Sequence, residues 1–283
     1  MTARIAGIDH VLIGVRDLEA ARARYGRLGF NSTPRGRHVG WGTANYCIML
    51  ERDYLELLGI VDPGGFSNGL DELLAEREGL FAVALGTADA PATQAAWAAV
   101  GGEPSEPRAL GRLLESPEGP IELRFKNVML PPQRTAGVSL FACQHLTPEP
   151  MRRPAWLSHP NGARAIRSCT IVAPQTEPVA QALRRLFGSA AVTRTDNVVA
   201  AHTAHGALLV TPPDDALLMH PLLQLPDRLA GPVPAVLTLE VTSTARAAAF
   251  LQLQGVTFAQ ASNGDVLIPA TETHGVMLEL VQA

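Results

Sequence analysis

The sequence predicts an α+β protein made of four tandem βαβββ units, two in each half of the chain. Three observations carry that expectation. An apolar strand, a capped helix and a glycine stop recur four times in the same order along the 283 residues. The distance from helix start to glycine also recurs: Asp17 to Gly29, Asp89 to Gly101 and Ser243 to Gly255 each span twelve residues, and Gln175 to Gly188 spans thirteen. Each helix is then followed by short apolar runs, several of which carry one carboxylate. Repetition on this scale sets architecture before any single residue does.

In the first unit, Val11, Ile13 and Val15 face one side of a strand, with His10, Leu12 and Gly14 on the other. Asp17 is a helix N-cap, Leu18, Ala21, Tyr25 and Leu28 form a buried stripe, and Gly29 suits a left-handed C-terminal cap. Tyr54-Leu55-Glu56-Leu57-Leu58-Gly59 is the closing strand. The second unit opens at Gly79 with Leu80 to Leu85, starts its helix at Asp89, and continues through Leu113-Leu114, the Ser116-Pro117-Glu118-Gly119 turn and Ile121 to Phe125. The third opens near Ile166 and has Pro178 in the first turn of its helix. Val198 to Ala201 and Ala207 to Val210 are its later strands. The fourth has Ala235 to Val241, a helix from about Thr244, then Val266 to Ile268 and Val276 to Val281. The domains expected are 1–130 and 165–283. The proline-, histidine- and tryptophan-containing segment 131–164 is read as an ordered interdomain connection, since unstructured loops of that length are uncommon.

Composition bounds the function. Hydrophobic residues make up 47% and charged residues 18%, enough for two cores and too apolar for disorder. A net charge of −4 gives no basic footprint for nucleic acid. No apolar run approaches the roughly 20 residues of a membrane span, and Met1 to Gly7 lacks a signal-peptide centre, so a cytoplasmic protein is expected. Cys47, Cys143 and Cys169 are odd in number and widely spaced, as for reduced buried thiols. No phosphate loop, dinucleotide glycine pattern or serine nucleophile elbow is present.

The segments Ile8-Asp9-His10-Val11, Asp17-Leu18, Arg37-His38-Val39-Gly40-Trp41-Gly42-Thr43-Ala44-Asn45 and Tyr54-Leu55-Glu56-Leu57 resemble the glyoxalase-like domain family. That family belongs to the vicinal oxygen chelate superfamily of glyoxalase, bleomycin-resistance and extradiol-dioxygenase proteins. The resemblance is strong over 5–130; over 165–283 only the order of elements supports it. It implies tandem βαβββ units paired into two half-barrel domains, a pair curling around a divalent metal with ligands on the first and last strands of each unit. Carried over, those positions are His10 and Glu56, then Ala82 and Glu122. Three of the four are metal-competent, and the implied ion is Fe, Mn, Co, Ni or Zn. Water or another histidine fills the fourth place. The matching positions of the second half, Ser168, Val210, Val236 and Glu279, imply scaffold without metal.

Each of these residues also has a structural reading. His10 is a metal ligand or a satisfied core histidine; Glu56 and Glu122 are ligands or solvent-facing strand carboxylates. His38, among glycines and beside Trp41, is read as a proton carrier or a surface turn residue. Trp41 is read as a substrate-binding residue, and Asn45 caps a turn or binds a substrate oxygen. His145 is the missing ligand, a general base, or part of a linker bonded to backbone, and His159 shares the substrate or linker alternatives. Arg124 binds a substrate carboxylate or neutralises Glu122. His202, His205, His220 and His274 are read as surface or turn residues. The function implied is a lyase, isomerase or dioxygenase acting with a divalent metal on a small oxygen-bearing molecule. A second reading is a metal-free binder that sequesters a small molecule. A third is that the repeats mainly build a homodimer or a scaffold.

Overall fold

The computed structural model describes residues 5–116 and 118–283. Met1 to Arg4 and Pro117 of the expected turn lie outside the described residues. Strands β1 (Ile5–Gly14), β2 (Gly36–His38), β3 (Thr43–Met49), β4 (Tyr54–Ile60), β5 (Gly79–Thr87), β6 (Arg108–Ser116), β7 (Gly119–Met129) and β8 (Leu140–His145) form one sheet. They close into a barrel in the order β1-β4-β3-β2-β6-β7-β8-β5. Helices α1 (Leu18–Arg27), α2 (Leu70–Glu76), α3 (Ala90–Ala99) and α4 (Pro154–Leu157) accompany it. The rest comprises β9 (Ala163–Val172), α5 (Thr176–Phe187), β10 (Val192–Thr195), β11 (Val198–His202), β12 (Ala207–Thr211), α6 (Pro213–Met219), β13 (Val233–Val241), α7 (Thr244–Leu253), β14 (Ala259–Gln260), β15 (Val266–Ile268) and β16 (Met277–Gln282). Its eight strands form an open sheet, β10-β11-β12-β9-β13-β16-β15-β14. No helix among the described residues is long and apolar enough to cross a membrane.

The repeat is visible at the helix ends. Asp17 accepts a hydrogen bond from the Ala20 amide, Asp89 from that of Ala92 and Ser243 from that of Arg246, so three helices start on side-chain caps. Gly29, Gly101 and Gly255 follow them with φ of +87°, +73° and +63°, a conformation that side chains with a Cβ resist.

Two corrections concern the second unit. Its last strand is β8, not Ile121 to Phe125. β6 and β7 form an antiparallel hairpin, and β8 pairs antiparallel with β7 and parallel with β5. β4 stands against β1 in the same parallel way. The expected interdomain segment 131–164 therefore supplies a barrel strand, and only its later part connects the halves. Helix α2 lies in the stretch expected to be a joint, where Leu70 is buried.

Of the three apolar clusters among the described residues, two bear on the site. One fills the barrel, with Leu12, Met49, Tyr54, Leu123, Phe125, Phe141 and Met151 among its members. The other runs through both halves, joining Tyr25, Leu28, Val83 and Trp97 to Ile171, Leu183, Leu237 and Leu251.

Asp53, in the β3–β4 turn, ties the halves together. It is buried, and both its oxygens accept from the Ile166 amide at 3.0 and 3.1 Å. Burial pushes its pKa up from 3.8 to about 7, against the pull of that amide. The folded chain thus holds a proton that the unfolded chain has released. That contribution to stability is complete below the unfolded pKa and is lost as the pH rises through about 7. Stability should fall by on the order of 2 kcal/mol between about pH 5 and pH 8 from this group. Urea unfolding across that range checks this: Asp53→Asn should flatten the slope, and an unchanged slope contradicts the assignment.

Candidate metal centre

β1 brings two donors to one place. Its pairing with β5 shifts register between Ile8 and His10. An irregularity of this kind re-aims side chains that strict alternation would send to opposite faces. His10 Nδ1 donates to Asp9 Oδ2 at 2.6 Å, and His145 Nε2, at the end of β8, donates to the same oxygen at 2.9 Å. Cys143, two residues before His145, points the same way. One ligand atom from each of Asp9, His10, Cys143 and His145 lies within 4.8 Å of the others. Burial works to raise the Asp9 pKa, but the hydrogen bonds and charges of the two histidines outweigh it and hold the carboxyl well below the usual range. His10 is fixed between rings: it stacks on Tyr54 at 4.4 Å and meets the edge of Phe141 at 5.7 Å.

The other side of His10 faces a second group. His10 Nε2 is 3.5 Å from Glu56 Oε2, and His38 Nε2 is 3.6 Å from Glu56 Oε1. The Asn45 amide donates to Glu56 Oε1, and His38 Nδ1 is 2.8 Å from Thr43 Oγ1. Burial would raise the Glu56 pKa, yet His10, His38 and Arg112 together bring it below its usual value. Burial pushes His38 down to about 4, so it is neutral near pH 7. Trp41, half-buried, covers His38 at 5.7 Å and meets Phe66 edge-on.

Arg112 is the residue that sequence reading missed. On β6 it stands opposite His38 of β2 and Leu123 of β7, and it is buried inside the barrel. It shares the inward face of β6 with Leu114, two residues on, which only the strand pairing reveals. Gly36 makes the room, because a Cβ there would come 2.8 Å from Arg112 Cδ.

Three expected site residues lie elsewhere. Glu122 and Arg124 do share a face of β7, but it is the exposed outer face, while Leu123 and Phe125 point inward. A carboxylate in that mixed core would be costly, and water solvates it instead. With β8 as the last strand, the counterpart of Glu56 is Phe141: it stands opposite Ala84 as Glu56 stands opposite Leu12. His159 is buried, but Nδ1 accepts from the Asn31 amide at 3.1 Å and Nε2 donates to the Met49 carbonyl at 2.8 Å, so both nitrogens serve structure. In the second half, Glu279 is buried and bonded to His220 and Thr238, and His220 is buried rather than on the surface.

A cavity of about 300 Å³ opens beside the four-donor cluster. Asp9, Cys143 and His145 line it together with Met49, Met151 and Arg152. His38, Trp41 and Asn45 are placed around Glu56 instead, away from that lining.

Comparison with known proteins agrees with this fold. A hypothetical protein from Staphylococcus aureus superposes with a TM-score of 0.70 at 12% identity, covering 98% of this chain and 99% of the other. A mutant 4-hydroxymandelate synthase from Streptomyces coelicolor gives 0.63 at 10%, covering 99% and 93%. A xylose isomerase-like TIM barrel/4-hydroxyphenylpyruvate dioxygenase fusion protein gives 0.60 at 16%, covering the whole of this chain and 49% of the fusion. No curated protein matches the chain. The model of the glyoxalase-like domain matches residues 8–187, more than half of the sequence, and the chain belongs to that family, with the paired half-barrel fold of the vicinal oxygen chelate proteins.

Proposed function

We propose that this protein is a metal-dependent enzyme that acts on a small oxygen-bearing organic substrate at the mouth of the closed barrel. The observation that carries this is the convergence of Asp9, His10, Cys143 and His145 beside the 300 Å³ cavity. Two imidazoles, a carboxylate and a thiol suit a borderline divalent ion of the Fe, Mn, Co, Ni and Zn set. Such an ion would polarise a substrate oxygen and stabilise the charge that builds on it during a lyase, isomerase or dioxygenase reaction. The metal shell read from sequence keeps His10, takes His145 for its open place, gains Asp9 and Cys143, and loses both Glu56 and Glu122.

The chain's own groups divide the work. Asp9 fixes the orientation of both His10 and His145 through its Oδ2. His145 is the metal-competent histidine on the cavity wall, beside the place a substrate would take. Glu56, steadied by Asn45 and His38, supports His10 from its far side; His38 is thus a positioning residue. Met49 and Met151 line the cavity with apolar surface that excludes water.

A sequestering protein of the same fold is the second reading, favoured by the apolar side chains at Ala82 and Phe141. Thermal melting with Mn, Fe, Co, Ni and Zn separates the two. At an ion concentration about a hundredfold above Kd, the metal reading predicts a rise of about 5 to 10 °C, reversed by chelator. No rise with any ion, alongside binding of small organic ligands, would support the sequestering reading.

A further inference from the structure

We infer that Arg112 is a buried receptor for a substrate carboxylate, held in waiting by two sulfur atoms, so that the substrate of this site is a small carboxylic acid. This rests on the reading of the barrel mouth as the substrate site. The guanidinium lies wholly inside the barrel. Nη1 donates to Cys47 Sγ at 3.1 Å and Nη2 to Met151 Sδ at 3.2 Å, while Nε has no partner. The ring of Phe125 covers it at 5.3 Å. No oxygen accepts from it among the described residues. Thiols and thioethers are weak acceptors, whereas a guanidinium presents five donors in a fork that fits a carboxylate. A buried cation is costly unless it is paired and hydrogen-bonded. Glu56 balances its charge from nearby but spends its own oxygens on Asn45, His10 and His38. Cys47 does not supply the missing anion, since burial pushes its thiol up to about 12.

The route to Arg112 is on the molecule. Met151 lines the cavity on one side and touches Arg112 on the other. It sits on a single turn, Glu149–Met151, in the segment after β8 whose Pro148 and Arg152 also line the cavity. Methionine is the flexible, unbranched side chain best able to yield its place. A ligand that turns Met151 aside reaches the guanidinium with its carboxylate while its remainder lies beside Asp9, Cys143 and His145.

Benzoate and benzamide, alike in shape and different in charge, are the probes, with binding followed by calorimetry. Benzoate should bind at least tenfold more tightly than benzamide. Arg112→Gln should remove that preference, and Met151→Ala, which leaves the charge in place and clears the plug, should tighten benzoate severalfold. Equal binding of the two probes, no benzoate binding, or an unchanged benzoate affinity in Met151→Ala would overturn the proposal. Met151→Ala keeps the test decisive if Arg112→Gln fails to fold. The probes need no metal, so the outcome is independent of the melting experiment. Carboxylate preference without a metal-induced rise would keep the receptor and remove the metal reading; the reverse would remove only the receptor.

Discussion

Glu56→Gln is expected to cost about 3 kcal/mol of folding stability, and Glu56→Gln combined with Arg112→Met is expected to restore at least half of it. The single change leaves a buried guanidinium whose direct partners are sulfur atoms and a carboxylate-free His10–His38 pair. Charges buried in this way are favourable only as a set: breaking the set is expensive, whereas replacing both members with apolar groups is often close to neutral. Arg112 would be replaced by methionine among Cys47, Phe125 and Met151, surroundings that accept it. Equilibrium urea unfolding of the two single variants and the double checks this. Strictly additive losses would show that Glu56 and Arg112 do not act as a pair.

His145→Ala is expected to lower metal affinity at least tenfold to a hundredfold, and Glu122→Gln is expected to leave it unchanged within about twofold. Both residues carry metal-competent side chains, and sequence alone does not separate them. The fold does. β8 carries His145 to within 2.9 Å of Asp9, on the same oxygen that His10 reaches. Glu122 sits one residue out of phase on β7, exposed to water. Removing His145 takes away one of four converging donors and also frees Asp9 from one of its two histidines. The variant is expected to stay folded, because the His145 ring meets Phe125 and Tyr54 edge-on and Asp9 keeps its bond to His10.

What the sequence made legible follows from periodicity and end signals. The four units, their capped starts at Asp17, Asp89 and Ser243, and the glycine stops are local features, and local features survive folding unchanged. His10 and Glu56 lie in the interior, each on a strand that is apolar and buried over nearly its whole length. The second unit's closing strand was not legible in the same way. Leu140-Phe141-Ala142-Cys143 is a short apolar run, which periodicity cannot tell from a buried linker, and it lies ten residues beyond the end of β7. Taking Ile121 to Phe125 as the last strand made Glu122 a ligand and left His145 in a connection. The Asp9 donor depended on an irregular pairing of β1 with β5, which has no sequence signature here. Arg112 was hidden differently: a charged residue between glycine and leucine reads as a solvent-facing position, and only the closed barrel puts it inside.

The measurement that bears most directly on the metal centre is metal content by plasma mass spectrometry, after loading and exhaustive dialysis, for the wild type, His145→Ala and Glu122→Gln side by side. The account predicts about one equivalent of a single transition metal in the wild type and in Glu122→Gln, with nearly all of it lost from His145→Ala. Metal retained by His145→Ala and lost from Glu122→Gln, or no metal in any of the three, would contradict it.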